Sequence, residues 1–311
     1  MKKLVRRILA ILLQAPPTEK IPVGGQAVIE GVLMRGPERW GLSVRKPDGS
    51  IEKESWGNRP WTSGMPWKLP LVRGVVTMAE MMTVGFRALD KSARIAVGEE
   101  EQITKKDILI AAAVAICAVV GLFIVLPLWL SELAVRHWGF SPLGKNVLEG
   151  CARGGVFLAY VAAIGMWEEI RQVFRYHGAE HKTINAYESG AEMTPESVRA
   201  YSRIHPRCGT SFLLIVVAVS ILVFSAAGGG GILWRIGSRI LLLPLVMGIS
   251  YEIIRGASSS GRLGRVLMAP AMSFQYLTTR EPDLAQIEVA LSSLETALGR
   301  SFAQPAEETK P

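Results

Sequence analysis

Cysteine is scarce in this 311-residue chain. There are three, and Cys117 and Cys151 lie in or beside apolar segments, which excludes a disulfide framework. Histidine is nearly as scarce, yet three of the four fall within residues 176–211. A usable cleavage site is missing as well. The start Met1-Lys2-Lys3-Leu4-Val5-Arg6-Arg7 opens like a signal peptide, but its apolar run is short and Gln14-Ala15-Pro16-Pro17 is poorly cleavable. Residues 1–20 are therefore expected to form an uncleaved, basic amphipathic anchor. The net charge of +8 does not indicate nucleic acid, because Lys and Arg concentrate beside apolar segments, as in membrane proteins. With 49% hydrophobic residues and a positive mean hydropathy, the chain is no ordinary soluble domain.

What is present divides the chain. Residues 21–68 read as a β-rich module: a glycine-broken apolar run from Gly24, then a hairpin over 41–55 turning at Pro47-Asp48-Gly49. It holds Trp40, Trp56, Trp61 and Trp67, expected to be shared between a small core and a membrane-interface belt. Glu30 and Arg35 flank tight glycine turns where a ligand could approach the backbone. Residues 69–95 are apolar but carry Arg73, Glu80 and Arg87, which fits an interfacial helix better than a span. Four spans are expected within 108–280, over 108–130, 154–167, 212–227 and 233–254. Basic residues cluster at the N-terminus, at 91–106, at 171–207 and after 255, and are fewer in 131–150 and 228–238. The expectation is a bacterial inner-membrane protein whose termini and histidine-rich loop face the cytoplasm. Glu169 and Glu252 occupy matching places at the cytoplasmic ends of two apolar helices. Residues 281–311 read as a C-terminal helix and tail. Leu284, Ile287, Leu291, Leu294 and Leu298 form a heptad seam for a partner or for docking on the body.

Chemistry concentrates in residues 176–211. His177-x-x-Glu180-His181 is the inverted zincin pattern: on a helix both imidazoles share a face, with Glu180 to one side as base for a metal-bound water. Gly190 suits a helix end, and Thr194-Pro195-Glu196 a helix start. From His181 to Gly190 the chain climbs ~14 Å, and a second helix from Pro195 to Ile204 descends ~15 Å. A cytoplasmic helical hairpin thus returns His205 and Cys208 to the level of His177 and His181, so that His177, His181 and one or both of His205 and Cys208 are expected to hold a metal ion. Glu188 shares the face but lies ~10 Å further on, which suits a supporting or substrate-binding role. Imidazole plus thiolate favours Zn²⁺ over iron or manganese.

The pieces G-G-Q-A-V-I-E-G-V-L-M-R-G-P, Y-H-G-A-E-H-K-T-I-N-A-Y-E and H-P-R-C-G-T-S-F resemble the YqhQ-like family (domain of unknown function 1385) over residues ~20–285. The resemblance implies a bacterial membrane protein of a family described as metal-dependent enzymes without an assigned reaction. It also places His177, Glu180, His181, Glu188, His205 and Cys208 in the family's motifs. The fold expected is mainly α-helical and polytopic, with about four transmembrane helices, the β-rich module and the hairpin. The function expected is a metal-dependent hydrolase at the membrane face. A scaffold with a structural zinc and an ion-handling protein, with Glu169 and Glu252 along its path, are the alternatives.

Overall fold

The computed structural model describes residues 23–97, 105–228 and 230–302. The N-terminal basic anchor and most of the C-terminal tail read from the sequence lie outside the described residues. Four short strands form an antiparallel meander in sequence order: β1 (Gly24–Val28), β2 (Gly31–Arg35), β3 (Arg39–Arg45) and β4 (Ile51–Gly57). The β3–β4 turn sits where the sequence places it. Gly49 takes φ 84°, and Asp48 Oδ1 accepts from the Ser50 backbone N–H at 2.9 Å.

Alternation along the strands gives the sheet two apolar faces. Val28, Leu33, Trp40, Leu42 and Val44 form one, and on it lies α1 (Val72–Val97) through Met81, Val84 and Ala88. Val32 and Met34 point the other way, toward α5 (Glu168–Ser189) and α12 (Leu284–Leu298). The heptad residues Ile287, Leu291 and Leu294 are buried there, so the seam is occupied within the chain. An Asp283–Gln286 capping box starts α12, and Ser293 Oγ donates to the Val32 carbonyl at 2.9 Å. The tryptophans divide as expected: Trp40 is buried, Trp56 half-buried, and Trp61 and Trp67 exposed.

The remainder is helical. A continuous stretch runs through α2 (Lys105–Val120), a π-turn (Gly121–Val125) and α3 (Leu126–Trp138). There follow α4 (Pro142–Ile164), α5, the single turn α6 (Pro195–Arg199) and α7 (Gly209–Ala226). Next come α8 (Ile232–Leu241), α9 (Leu243–Ser259), α10 (Gly261–Ser273) and α11 (Gln275–Thr278). Among the described residues, three helical segments are long and apolar enough to cross a membrane: Ala112–Trp138, Gly144–Ile164 and Gly209–Ala226. Leu233–Leu241 with Leu243–Ala257 becomes a fourth if that pair, bent by 43°, is one span. Helix α4 begins a dozen residues before the expected 154–167 segment. Its early turns carry Glu149, expected in the loop 131–150, and Arg153, which just precedes the expected span; both are buried among partners.

Candidate functional site

Helix α5 is polar by composition yet is buried on nearly all sides over 176–187, including Glu180, His181 and Lys182 with His177 part-buried beside them. Those polar groups are buried because each meets a group the return chain supplies. Past Gly190 (φ 78°) and α6, whose last bonds reach Tyr201, residues 202–207 descend in non-helical backbone. The second arm of the expected hairpin is thus helical only over Pro195–Arg199, not to Ile204. The reason lies on α5. Lys182 Nζ donates to the carbonyls of Arg199 (2.9 Å) and Tyr201 (2.8 Å), and Asn185 Nδ2 to those of Ser202 (2.7 Å) and Ile204 (3.0 Å). Carbonyls bound sideways by α5 satisfy the backbone without a helix.

Two more carbonyls orient the histidines. His177 Nδ1 lies 2.9 Å from Thr278 O, and His181 Nδ1 lies 2.7 Å from Arg203 O. A carbonyl only accepts, so both Nδ1 atoms carry the proton, and in the neutral ring both Nε2 lone pairs are free. These face Cys208, whose Sγ is 3.3 Å from His177 Nε2. One ligand atom each from His177, His181 and Cys208 falls within 4.8 Å of the others. Ligand atoms around a tetrahedral zinc stand about 3.3–3.7 Å apart, given bonds of about 2.0–2.3 Å, so a small contraction would let this group hold the ion. Hydrogen-bonded Nδ1 atoms behind the coordinating nitrogens are the usual support of such sites.

Close backbone approaches make this possible. A Cβ on Gly178 would stand 2.0 Å from Arg280 O, so only glycine lets residues 278–282 run against α5 and reach His177. A Cβ on Gly25 would lie 3.1 Å from Glu180 Oε1 and 2.6 Å from Leu33 O, which places β1 as the wall beside Glu180.

Glu180 Oε2 is buried without a hydrogen-bond partner, 3.9 Å from His177 Nε2. Burial pushes its carboxyl pKa up, against the pull of His181 and His177. His205 stands outside the group of three, its ring centroid 5.8 Å from that of His181. Its backbone is locked by Gln275, which accepts from His205 N (2.8 Å) and donates to His205 O (2.7 Å). Its Nε2 has no hydrogen-bond partner and lies 3.5 Å from Glu188 Oε2. Burial, then His181, lowers the His205 pKa to about 4. For Cys208, burial opposes ionisation, but His181 and His177 outweigh it and hold the thiol well below its usual pKa. Burial likewise opposes charge on His177, and Cys208 outweighs it, carrying that imidazole to about 9.

The other expected residues stand apart from this centre. Glu188 accepts from Arg207 and borders His205. Glu30, with φ 47° at the β1–β2 turn, accepts from Tyr176 Oη at 3.0 Å and so ties the sheet to α5 one residue before His177. Arg35 pairs with the buried Glu80 of α1 at 3.2 Å. Glu252 accepts from Arg73 Nε at 2.7 Å, and Glu169 is exposed near the start of α5. The sequence reading passed over Lys182, Asn185, Gln275 and the carbonyls of Arg203 and Thr278. Lys182 and Asn185 had a signal: both are strongly polar on a helix that also carries Ile184, Ala186 and Tyr187.

The family described as "Protein of unknown function (DUF1385)" matches residues 69–300. The chain belongs to the DUF1385 family. It is also 30% identical over 299 residues to "Uncharacterized protein YqhQ" of Bacillus subtilis (strain 168), covering 90% of this chain and 93% of that protein. No solved structure matches. The family assignment agrees with the resemblance drawn from the motifs. The matched region contains the whole His/Cys centre, whereas β1 to β4 precede it.

Proposed function

We propose that this protein is a multi-pass membrane protein with a metal-dependent hydrolytic centre at the cytoplasmic membrane face. His177, His181 and Cys208 would hold a divalent ion, zinc by the chemistry of the donor set. The observation that carries the reading is the orientation of the two imidazoles: each Nδ1 is spent on a carbonyl, and each Nε2 is turned toward the same thiol. Three protein donors leave one coordination position for water, as catalytic zinc sites do. A bound zinc would bring that water's pKa to ~7. Glu180, buried beside the donors with one carboxylate oxygen unpartnered, is the base that would take its proton. His205 and Glu188 would line the substrate side.

The membrane part of the reading rests on the apolar helices and on the placement of charge. Lys and Arg flank the ends of Ala112–Trp138, Gly144–Ile164 and Gly209–Ala226 that lead to the site. Exposed Trp61, Met65, Trp67 and Leu69 beside α1 would rest in the same interface. The substrate is then a lipid headgroup or a protein segment presented at that surface.

Metal content of the purified full chain tests the centre. His177→Ala, His181→Ala and Cys208→Ala should each lose the ion. Glu180→Gln should keep it and fail to restore a deletion strain. Full metal in all three alanine variants would sink the centre, and full complementation by Glu180→Gln would leave a structural zinc in a scaffold. One observation favours a second reading: the 3.3 Å contact between Cys208 Sγ and His177 Nε2 is also that of a thiolate nucleophile and its imidazolium. Rapid alkylation of Cys208 in metal-replete protein would favour that reading.

A further inference from the structure

At the other end of the apolar helices, far along the chain from the His/Cys centre, charged side chains gather where few belong. Glu149 on α4 is buried and bonded by three guanidinium groups. Arg153 Nη2 reaches it at 2.8 Å, Arg235 Nη2 at 2.8 Å, and Arg239 through Nε (3.1 Å) and Nη2 (2.9 Å). All three arginines are buried, and Arg153 and Arg239 also stack on Phe224 of α7, at 5.1 and 5.0 Å from the ring centre. Arg153 reaches deeper, donating to Ser220 Oγ at 3.3 Å and to Phe123 O in the π-turn at 3.0 Å. Glu132 of α3 stands at the edge of the cluster with its side chain 40% exposed, taking Arg235 (3.3 Å), Lys145 and, more loosely, Arg136 (4.0 Å).

Charge does not balance here. Among the described residues, five cations (Arg136, Lys145, Arg153, Arg235 and Arg239) face two carboxylates, Glu132 and Glu149. Arg136 is largely exposed and solvated, but Arg153, Arg235 and Arg239 are buried against one buried carboxylate, Glu149, and arginine does not shed its proton, so the buried positive charge calls for an anion. The surroundings give its setting. Trp138 and Phe140, in contact with each other just after α3, and Trp234, next to Arg235 in sequence, are 74%, 43% and 56% exposed. Such aromatic side chains sit at headgroup level in a bilayer. Glu149 lies about five residues inside the start of the Gly144–Ile164 segment, roughly 8 Å along the helix. Planar guanidinium forks match the paired oxygens of a phosphate.

We propose that this arginine cluster binds a phosphate-class oxyanion, presented by an anionic lipid headgroup or free in solution, on Arg235 beside the part-exposed Glu132, with Arg239 and Arg153 behind it. The cluster requires nothing of the His/Cys centre. An anion would share Arg235 with Glu132, so Glu132 opposes binding and sets its strength.

Native mass spectrometry of the detergent-purified full chain tests this. Dioleoylphosphatidylglycerol should bind about tenfold or more tightly than dioleoylphosphatidylcholine, the worth of one or two charge-assisted hydrogen bonds. Arg235→Gln should abolish the preference, with Glu149 still paired to Arg153 and Arg239. Glu132→Gln, at the part-exposed edge, should enlarge it. That opposite sign is one a merely structural ion network does not produce. Inorganic phosphate at millimolar concentration forms the second arm: displacement of the anionic lipid identifies free phosphate as an occupant, and no displacement assigns the site to headgroups. Equal binding of the two lipids together with no phosphate binding overturns the proposal. So does a Glu132→Gln protein whose preference fails to rise.

Discussion

Gly178→Ala should loosen metal binding although alanine is the better helix former. In an ordinary helix interior the change stabilises by about 0.5–1 kcal/mol, because glycine loses more backbone freedom on folding. Here the new Cβ would sit 2.0 Å from Arg280 O, against 3.4 Å for ordinary contact, so residues 278–282 must retreat from α5 by roughly 1.4 Å. The 2.9 Å bond from His177 Nδ1 to Thr278 O cannot survive such a shift. Overpacking should reverse the helix gain and cost about 1–3 kcal/mol in stability. Losing the support behind a coordinating imidazole should weaken zinc about 10–100-fold. Competition with a chromophoric chelator measures the affinity, and thermal unfolding in detergent measures the stability. If the variant binds zinc like wild type and melts higher, the close approach at Gly178 has no bearing on the site.

Five further outcomes follow from other parts of the fold. In metal-free protein, His205 is neutral when folded, with a pKa of about 4 against 6.5 when unfolded. Below pH 6.5 the unfolded chain takes up the proton first, so stability should fall between pH 6.5 and 4, by up to about 3 kcal/mol; His205→Asn should flatten that slope in pH-dependent melting. Because His205 lies outside the group of three, His205→Asn should also retain zinc, as equilibrium dialysis would report. Lys182→Met should free the carbonyls of Arg199 and Tyr201 and make residues 199–208 an early site of limited proteolysis. Leu294→Ala, at a fully buried position between α12 and the sheet, should cost about 2–5 kcal/mol in a thermal melt. Reporter fusions at residues 140 and 190 should report opposite sides of the membrane.

Much of the site was readable because helical spacing alone puts His177, Glu180 and His181 on one face, and because a glycine and a capped proline mark the reversal. The return arm was not readable as drawn. Residues 195–204 have an apolar stripe that suits a helix, but Lys182 and Asn185 compete for the same carbonyls and end it at Arg199. The third supporting chain, residues 275–282, is remote in sequence, and nothing local announces that the Thr278 carbonyl meets His177. In the apolar half, charge misled in the opposite sense. Glu149 read as a loop residue and Arg153 as lying just before a span, because a lone charge is costly inside a helix bundle. Arg235 and Arg239, some eighty residues on, remove that cost, and hydropathy has no means of pairing them.

Helix α12 covers the second face of a sheet that is made some 250 residues earlier, as the contacts Ser43–Ser292 and Val32–Ser293 record. During synthesis the strands therefore emerge first and wait, with Val32 and Met34 uncovered, while the whole apolar half is made. Thr278, which orients His177, also leaves the ribosome after both histidines and Cys208. The contacts around His177 are thus completed only once the helices after the apolar half are made. A chain truncated before Leu284 would keep His177, His181 and Cys208 and still present a half-covered sheet, open to quality-control proteases.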